Sequence, residues 1–532
     1  MLKRLACLAL VAASWTPAQA GADPVAGDAA QRMAGQAIYR DGLLASGKAL
    51  VGVGAGGVLR QGRDAACIAC HRRSGFGIAE GEVVVRPITA PELFQGVAQQ
   101  AATPRIAHFL GKPVRPAYDG AALAHALRTG IDVTGRPLHS MMPRYALSAA
   151  DMAALQAYLR TLYAAPDAGV DGQEIHLATV IQPGVAPQRR QAMLEVLQAF
   201  VRDKNAGVRS EVARRTGGAM RMHRAYRRWV LDVWELAGAP DEWGHQLEQH
   251  YLRQPVFALV GGIGELPWQP IHDFSERARL PCILPQTALP GAGPNFYTVY
   301  FSRGITLEAQ ALARHFRAAP GSTVRQVFRQ ADPASLAAAR AFRSALDGAG
   351  VHLEETAFAQ RMDEAQWRAL AGTDAALVLW LGPQDLPEPG ARARAAGRET
   401  WLSATLFDSE AAAIGSGAGM TYAWELPELR APRIRRSTDW LRARNLGADQ
   451  PGVRVNAHFA MEVAGEALAH LMDSFSRDYF VETVEHNLTT TLLSSFYPPL
   501  TLGPDQRHAS KSVYLMYPAV PGDLPVAELV VP

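Results

Sequence analysis

The stretch Cys67-Ile68-Ala69-Cys70-His71 carries the most specific chemistry in this 532-residue chain. Two thiols lie one helical turn apart, and an imidazole follows the second. This C-x-x-C-H spacing lets both thiols add to the two vinyl groups of one porphyrin. The adjacent histidine then sits under the iron as its proximal ligand, the signature of covalent haem c attachment. A structural zinc site would need a second cysteine pair, and the remaining cysteines are only Cys7 and Cys282. A thioredoxin-like dithiol wants a βαβ setting, whereas this pair sits among Gly and Arg residues.

The amino terminus predicts a compartment that suits this chemistry. Lys3 and Arg4 precede an apolar run from Leu5 to Ala13, and Ala18-Gln19-Ala20 is a small-x-small cleavage site. The pattern predicts a signal peptide over 1–20, a mature chain from Gly21, and export to the periplasm. The apolar run is far below the roughly 20 residues that span a bilayer, and no later stretch is long enough, so no membrane span is expected in the mature chain. Cys7 would leave with the leader. Cys282, within an apolar strand, reads as a buried free thiol.

Helical elements must position the haem motif. Gln31 to Asp41 reads as a helix with Gly35 and Tyr39 four apart. A second helix follows the cap Ser148, with Asp151 at its third position, and runs to about Leu162. Leu155, Tyr158, Leu159 and Leu162 share one of its faces. Before it lies Gly135-Arg136-Pro137-Leu138-His139-Ser140-Met141-Met142-Pro143-Arg144-Tyr145.

With these features, residues 31–163 resemble a soluble, low-spin, single-haem c-type cytochrome. The resemblance implies an all-α domain in which the first and last helices cross at a glycine under packed aromatic rings. It implies one covalent haem c, with its iron held by His71 and, on a loop just before a proline and the last helix, by Met142. Met141 and His139 are the competing donors for the sixth position. The His71 ring needs an acceptor for its other nitrogen, and the Pro87 carbonyl lies in the expected region. Arg72 and Arg73 read as a solvated pair, and Arg115 and Tyr118 as candidate partners of a propionate. The glycine-rich stretch 47–62 reads as a mobile loop beside the haem.

After 164–173, a small linker of Ala, Asp and Gly, the texture changes. Strand candidates at 175–181, 256–260, 282–284, 296–301, 324–328, 351–356, 375–380 and 420–424 alternate with helices such as 188–205, 307–317 and 334–346. That alternation predicts parallel sheets with helices on both faces, divided over two lobes. Val260-Gly261-Gly262, Leu284-Pro285-Gln286-Thr287 and the closing Pro499 to Arg507 resemble the type I periplasmic binding proteins that capture branched-chain amino acids. The resemblance places a ligand pocket near Glu265, Gln286 and Thr287. Glu265 stands where an amino-acid binder presents a hydroxyl to the substrate carboxylate, which disfavours an anionic ligand. A cationic or neutral solute, or none, is the expectation.

The fold class expected is therefore an all-α cytochrome c domain (21–163) followed by a two-lobed α/β binding-protein-like domain (174–532). The net charge of +3 offers no argument for nucleic acid, and the basic run Arg221 to Arg228 reads as a solvated helix face. The chain contains no second C-x-x-C-H for a two-haem peroxidase, and Gly261-Gly262-Ile263-Gly264 lacks the rest of a dinucleotide fingerprint. The function expected is one-electron transfer to or from a periplasmic redox partner such as a dehydrogenase or terminal oxidase, not enzymatic catalysis. The larger domain would dock that partner or bind a small solute. Solute binding or sensing, with the haem as a redox reporter, is the alternative.

Overall fold

The computed structural model describes residues 24–80, 83–95, 115–215, 227–359, 362–371, 375–386, 399–407, 418–490, 495–503, 506–517 and 526–532. The signal peptide over 1–20 and most of the basic run Arg221 to Arg228 lie outside the described residues. The described chain forms two compact units that divide between Ala164 and Ala165.

In the first unit, helix α1 (Pro24–Asp41) extends further toward the amino terminus than the predicted 31–41 and crosses the last helix of the unit. A Cβ on Gly35 would fall 1.9 Å from the Ala154 carbonyl oxygen, so only glycine allows the two backbones to meet. Over this contact the Tyr39 and Tyr158 rings pack 5.2 Å apart, and Arg40 Nε donates to the Tyr158 hydroxyl at 2.9 Å. The last helix (Ala149–Leu159) starts at the expected cap: Asp151 N–H donates to Ser148 Oγ, which itself donates to the Asp151 carboxylate. Leu155, Tyr158, Leu159 and Leu162 join Ile38 and Tyr39 in the core.

The stretch 47–62 corrects the sequence reading. It contains a hairpin, β1 (Val51–Val53) against β2 (Leu59–Gln61), and β1 also pairs with β3 (Arg144–Tyr145). A Cβ on Gly52 would come within 2.9 Å of both the Tyr145 ring and Pro143, so its glycine lets the hairpin lie on the methionine loop. The partner strand lies some ninety residues away in sequence, beyond the reach of a local pattern.

In the second unit, one lobe holds an all-parallel sheet. Its strands are β4 (Glu174–Ile181), β5 (Arg228–Glu235), β6 (Ala258–Val260), β7 (Ile263–Gly264), β8 (Cys282–Ile283), β9 (Gln286–Thr287) and β10 (Thr298–Val299). The strand candidates read from the sequence omit β5, although Trp229, Val230, Val233 and Trp234 suit a half-buried strand. The other lobe orders β12-β11-β13-β14-β15-β16-β17, from His352–Phe358, Thr323–Arg329, Ala376–Trp380, Thr400–Ser403, Gly419–Tyr422, Val513–Met516 and Ala527–Val530. Its first five strands in that order are parallel and the last two pairings antiparallel.

The chain enters the second lobe after β10, returns to pack helix Pro451–Leu471 on helix Pro187–Arg215 of the first lobe, and re-enters the second lobe at β16. Cys282 is fully buried, as expected, and burial pushes its thiol up to about 12. The expected linker is pinned to this unit from Asp167 onward. Asp167 N–H donates to the Phe475 carbonyl, and Arg477 donates to the carbonyls of Ala168, Val256 and Phe257.

Candidate functional site

Cys67 leads into the single helical turn Ile68–His71, in which the N–H groups of Cys70 and His71 both point to the Cys67 carbonyl. That turn is why the C-x-x-C-H spacing works: both thiols and the imidazole emerge from one short, rigid piece of backbone. Cys67 and Cys70 are half-buried free thiols. His71 Nδ1 donates to the Arg86 carbonyl at 3.1 Å, which leaves Nε2 as the ring's lone-pair donor. The acceptor is thus one residue earlier than the expected Pro87. Pro87 still matters, because a residue before proline is held in extended backbone, and that fixes where the Arg86 carbonyl points. Desolvation lowers the His71 pKa to about 4, so the ring is neutral and able to ligate at neutral pH.

The two methionines differ in placement. Met142 is half-buried against the core of this unit, whereas Met141 is 51 % exposed and His139 is also exposed. Met142 N–H donates to the His139 carbonyl at 3.1 Å, and the Arg144 guanidinium donates to the Met142 carbonyl. Tyr145 OH donates to the Ala65 carbonyl at 2.8 Å, tying this loop to the segment just before Cys67. Arg115 donates to the carbonyls of Pro116 and Glu92 and stacks on the Tyr118 ring at 4.7 Å. Neither Arg72 nor Arg73 is fully solvated; both are half-buried. Two thiols on one turn beside a neutral, oriented imidazole are the donor set that haem c requires.

In the second unit, β7 and β9 pair so that Gln286 lies beside Ile263 and Thr287 beside Gly264, at the carboxyl ends of parallel strands. The three expected pocket residues are thereby brought together at a place where α/β sheets bind ligands. Their polar groups are engaged within the chain. Gln286 Nε2 donates to the Val453 carbonyl at 3.2 Å, and Thr287 Oγ1 accepts from Leu289 N–H at 3.0 Å. Glu265 lies on the surface, 54 % exposed, with its carboxylate 4.0 Å from Arg189 Nε.

Sequence reading missed two further groups at this end of the sheets. The first is Gln182, just past β4 and 2 % exposed, whose side chain accepts from Leu266 N–H at 2.9 Å. The second is Glu308, fully buried near the start of helix Ile305–Arg317. Ser403 and Thr421 hydroxyls each donate to its Oε2 at 2.6 Å, and Thr405 donates to its Oε1. Burial raises the Glu308 pKa against the opposing pull of those hydroxyls. Gln182 carried a local signal, since it directly follows the opening strand. Glu308 carried none, because its partners lie about a hundred residues away.

Two family models match the chain, that of the periplasmic binding proteins over residues 230–519 and that of cytochrome c over residues 61–163. The first spans more than half of the chain, which belongs to the periplasmic binding protein family and carries a cytochrome c domain in front. That domain brings covalently attached haem c, with its iron. Among curated proteins, none matches the chain in sequence.

Similar solved structures include a branched-chain amino-acid ABC transporter protein from Thermus thermophilus with bound valine. It is 13% identical with a TM-score of 0.48, and the match covers 68% of this chain and 98% of that one. A leucine-binding protein from Thermotoga maritima is 14% identical with a TM-score of 0.47, covering 67% and 99%. A fatty acid ABC transporter substrate-binding protein from Thermomonospora curvata is 16% identical with a TM-score of 0.46, covering 69% and 95%.

Proposed function

We propose that this protein is an exported electron carrier, with residues 1–20 as its leader, 21–163 as the haem domain, 164–173 as the junction and 174–532 as the binding-protein domain. Cys67 and Cys70 hold the haem, and His71 and Met142 ligate the iron. Haem with two strong protein ligands supplies one-electron transfer and offers no open position to a substrate. The chain's own part is to hold those ligands still. Arg86 fixes the His71 ring, and Arg144 and His139 fix the backbone on either side of the Met142 sulfur.

The observation that carries this reading is the contrast at the methionine loop. Met142 turns toward the core, while Met141 and His139 turn to solvent. In the ferric holoprotein a red methionine-to-iron charge-transfer band is expected. Met142→Ala should abolish it and let the ferrous form bind carbon monoxide, and Met141→Ala should do neither. Loss of the band in Met141→Ala alone would overturn the assignment.

Solute capture by the second unit is the other reading. Membership of the periplasmic binding protein family supports it, but the polar groups of Gln182, Gln286, Thr287 and Glu308 already bond within the chain. Calorimetry of the whole holoprotein against amino acids, amines and alcohol-oxidation products tests it, and silence across that panel is expected.

A further inference from the structure

Pieces of the second unit that are remote in sequence converge on one phenol, that of Tyr497. The segment that carries it is tied down on two sides. The Phe496 carbonyl accepts from Glu425 N–H at 3.0 Å, just past β15, and Phe496 N–H donates to Asn456 Oδ1 at 3.4 Å, on helix Pro451–Leu471. Tyr497 N–H itself donates to Ser495 Oγ at 3.1 Å. The half-buried Tyr497 ring stacks on Phe301, with centroids 5.0 Å apart and planes 17° from parallel. Phe301 lies two residues past β10, is 2% exposed, and packs in turn against Phe459 at 6.0 Å. One face of the phenol therefore rests on a fixed aromatic wall.

The hydroxyl is the deeper end of this side chain. Burial pushes its pKa up to about 12; the Trp424 indole N–H pulls it down, the Glu308 carboxylate raises it, and the Arg189 guanidinium lowers it. Arg189 belongs to helix Pro187–Arg215 of the first lobe, with Glu265 Oε1 4.0 Å from its Nε. Glu308 belongs to helix Ile305–Arg317 of the second lobe and is bonded by the hydroxyls of Ser403, Thr405 and Thr421. The phenol thus feels a cation of one lobe and a carboxylate of the other, at the strand ends where α/β sheets seat ligands. A stacking wall for the ring and an indole N–H for the oxygen are what a bound phenol needs.

We propose that this seat between the two lobes is a phenol-binding site and that Tyr497 is its resident ligand. The unit is closed to solutes from within, in keeping with the internal bonds of Gln286, Thr287 and Glu308. The occupant fixes the ligand class: a para-alkyl phenol, which is the Tyr497 side chain detached from its backbone. Haem chemistry plays no part in it.

The test uses the full-length holoprotein with p-cresol and toluene as probes. Tyr497→Gly removes the side chain and leaves room of its shape, and such a space binds the molecule that fills it. Calorimetry should show one p-cresol bound per chain in Tyr497→Gly and none in the wild type or in Tyr497→Phe, whose ring still fills the seat. Toluene, which lacks the oxygen, should bind Tyr497→Gly at least tenfold more weakly. A ligand also stabilises the fold that binds it, so p-cresol should raise the midpoint of the tryptophan unfolding transition in Tyr497→Gly and leave the wild-type midpoint unmoved. That second reading covers a variant that is partly unfolded on its own. Absence of both heat and midpoint shift in Tyr497→Gly would overturn the proposal. So would equal p-cresol binding by the wild type, which would show the seat to be open beside Tyr497.

Discussion

The two units differ in the polar side chains that they bury. Among the described residues of the haem unit, the fully buried polar side chains are Ser74, Thr89 and Asp151, and large apolar groups stand exposed on its hairpin. The binding-protein unit buries Glu308, Arg454, His458, Arg477, Glu485 and Arg507, and its strand-end hydroxyls bond to its own carboxylate. One unit buries few polar side chains; the other buries many, several of them bonded to its own groups. For solute capture the second requires internal bonds to be exchanged for ligand bonds, each with a desolvation cost.

The sharpest way to probe the second unit is to break one of its buried pairs. Arg507, 1% exposed, donates to Glu485 at 3.0 Å and to the carbonyls of Phe296 and Gly503 at 2.9 and 2.8 Å. Arg507→Met should remove this cation from the buried Glu485 carboxylate and cost about 3–5 kcal/mol. Urea unfolding followed by the tryptophans, nine of which lie from Trp229 onward, reads this loss. The haem spectrum of the same variant should be unchanged at low urea. A shifted Soret band would deny that the two units are built independently.

The matching change in the haem unit is smaller. Gly35→Ala drives a methyl group into the Ala154 carbonyl and should cost about 1–3 kcal/mol by overpacking. The loss should appear as a lower midpoint for the haem-absorbance transition, with the tryptophan transition unmoved. Equal shifts in both would show that the transitions are one.

The smallest effect concerns pH. His458 is 1% exposed, with Ser437 Oγ 3.1 Å and Glu462 Oε2 3.5 Å from its Nδ1. Burial, then Arg436 and Arg444, lowers its pKa to about 3. An unfolded histidine near 6.5 binds a proton that the folded one refuses, so stability falls as pH drops from 6.5 toward 3. This group contributes at most about 1.4 kcal/mol per pH unit. His458→Gln should remove that share of the slope in urea titrations between pH 6.5 and 4.5, and an unchanged slope would place the proton elsewhere.

Much of the haem site was legible because it is local. The C-x-x-C-H turn needs only a few residues to form, and the Ser148–Asp151 cap announces the helix that follows it. Gly35, Tyr39, Leu155 and Tyr158 could be read as a crossing only through resemblance, since nothing in either helix alone requires the other. The hairpin could not be read at all. Its glycines look like a loop until Arg144 and Tyr145 supply the third strand. In the binding-protein unit, alternating strands and helices revealed the architecture, while the strand Arg228–Glu235 was hidden behind the basic run before it.

The amino-acid sequence alone thus determined the covalent chemistry, the order of the two domains and the α/β character of the second. These follow from short-range spacing, capping and periodicity. Tertiary structure decided the rest: which methionine turns inward, that Arg86 rather than Pro87 orients the histidine, and that Gln286, Thr287 and Glu308 are already bonded. Each of those outcomes depends on groups far apart in sequence. Only packing brings a carbonyl, a hydroxyl or a strand edge within hydrogen-bond distance of its distant partner.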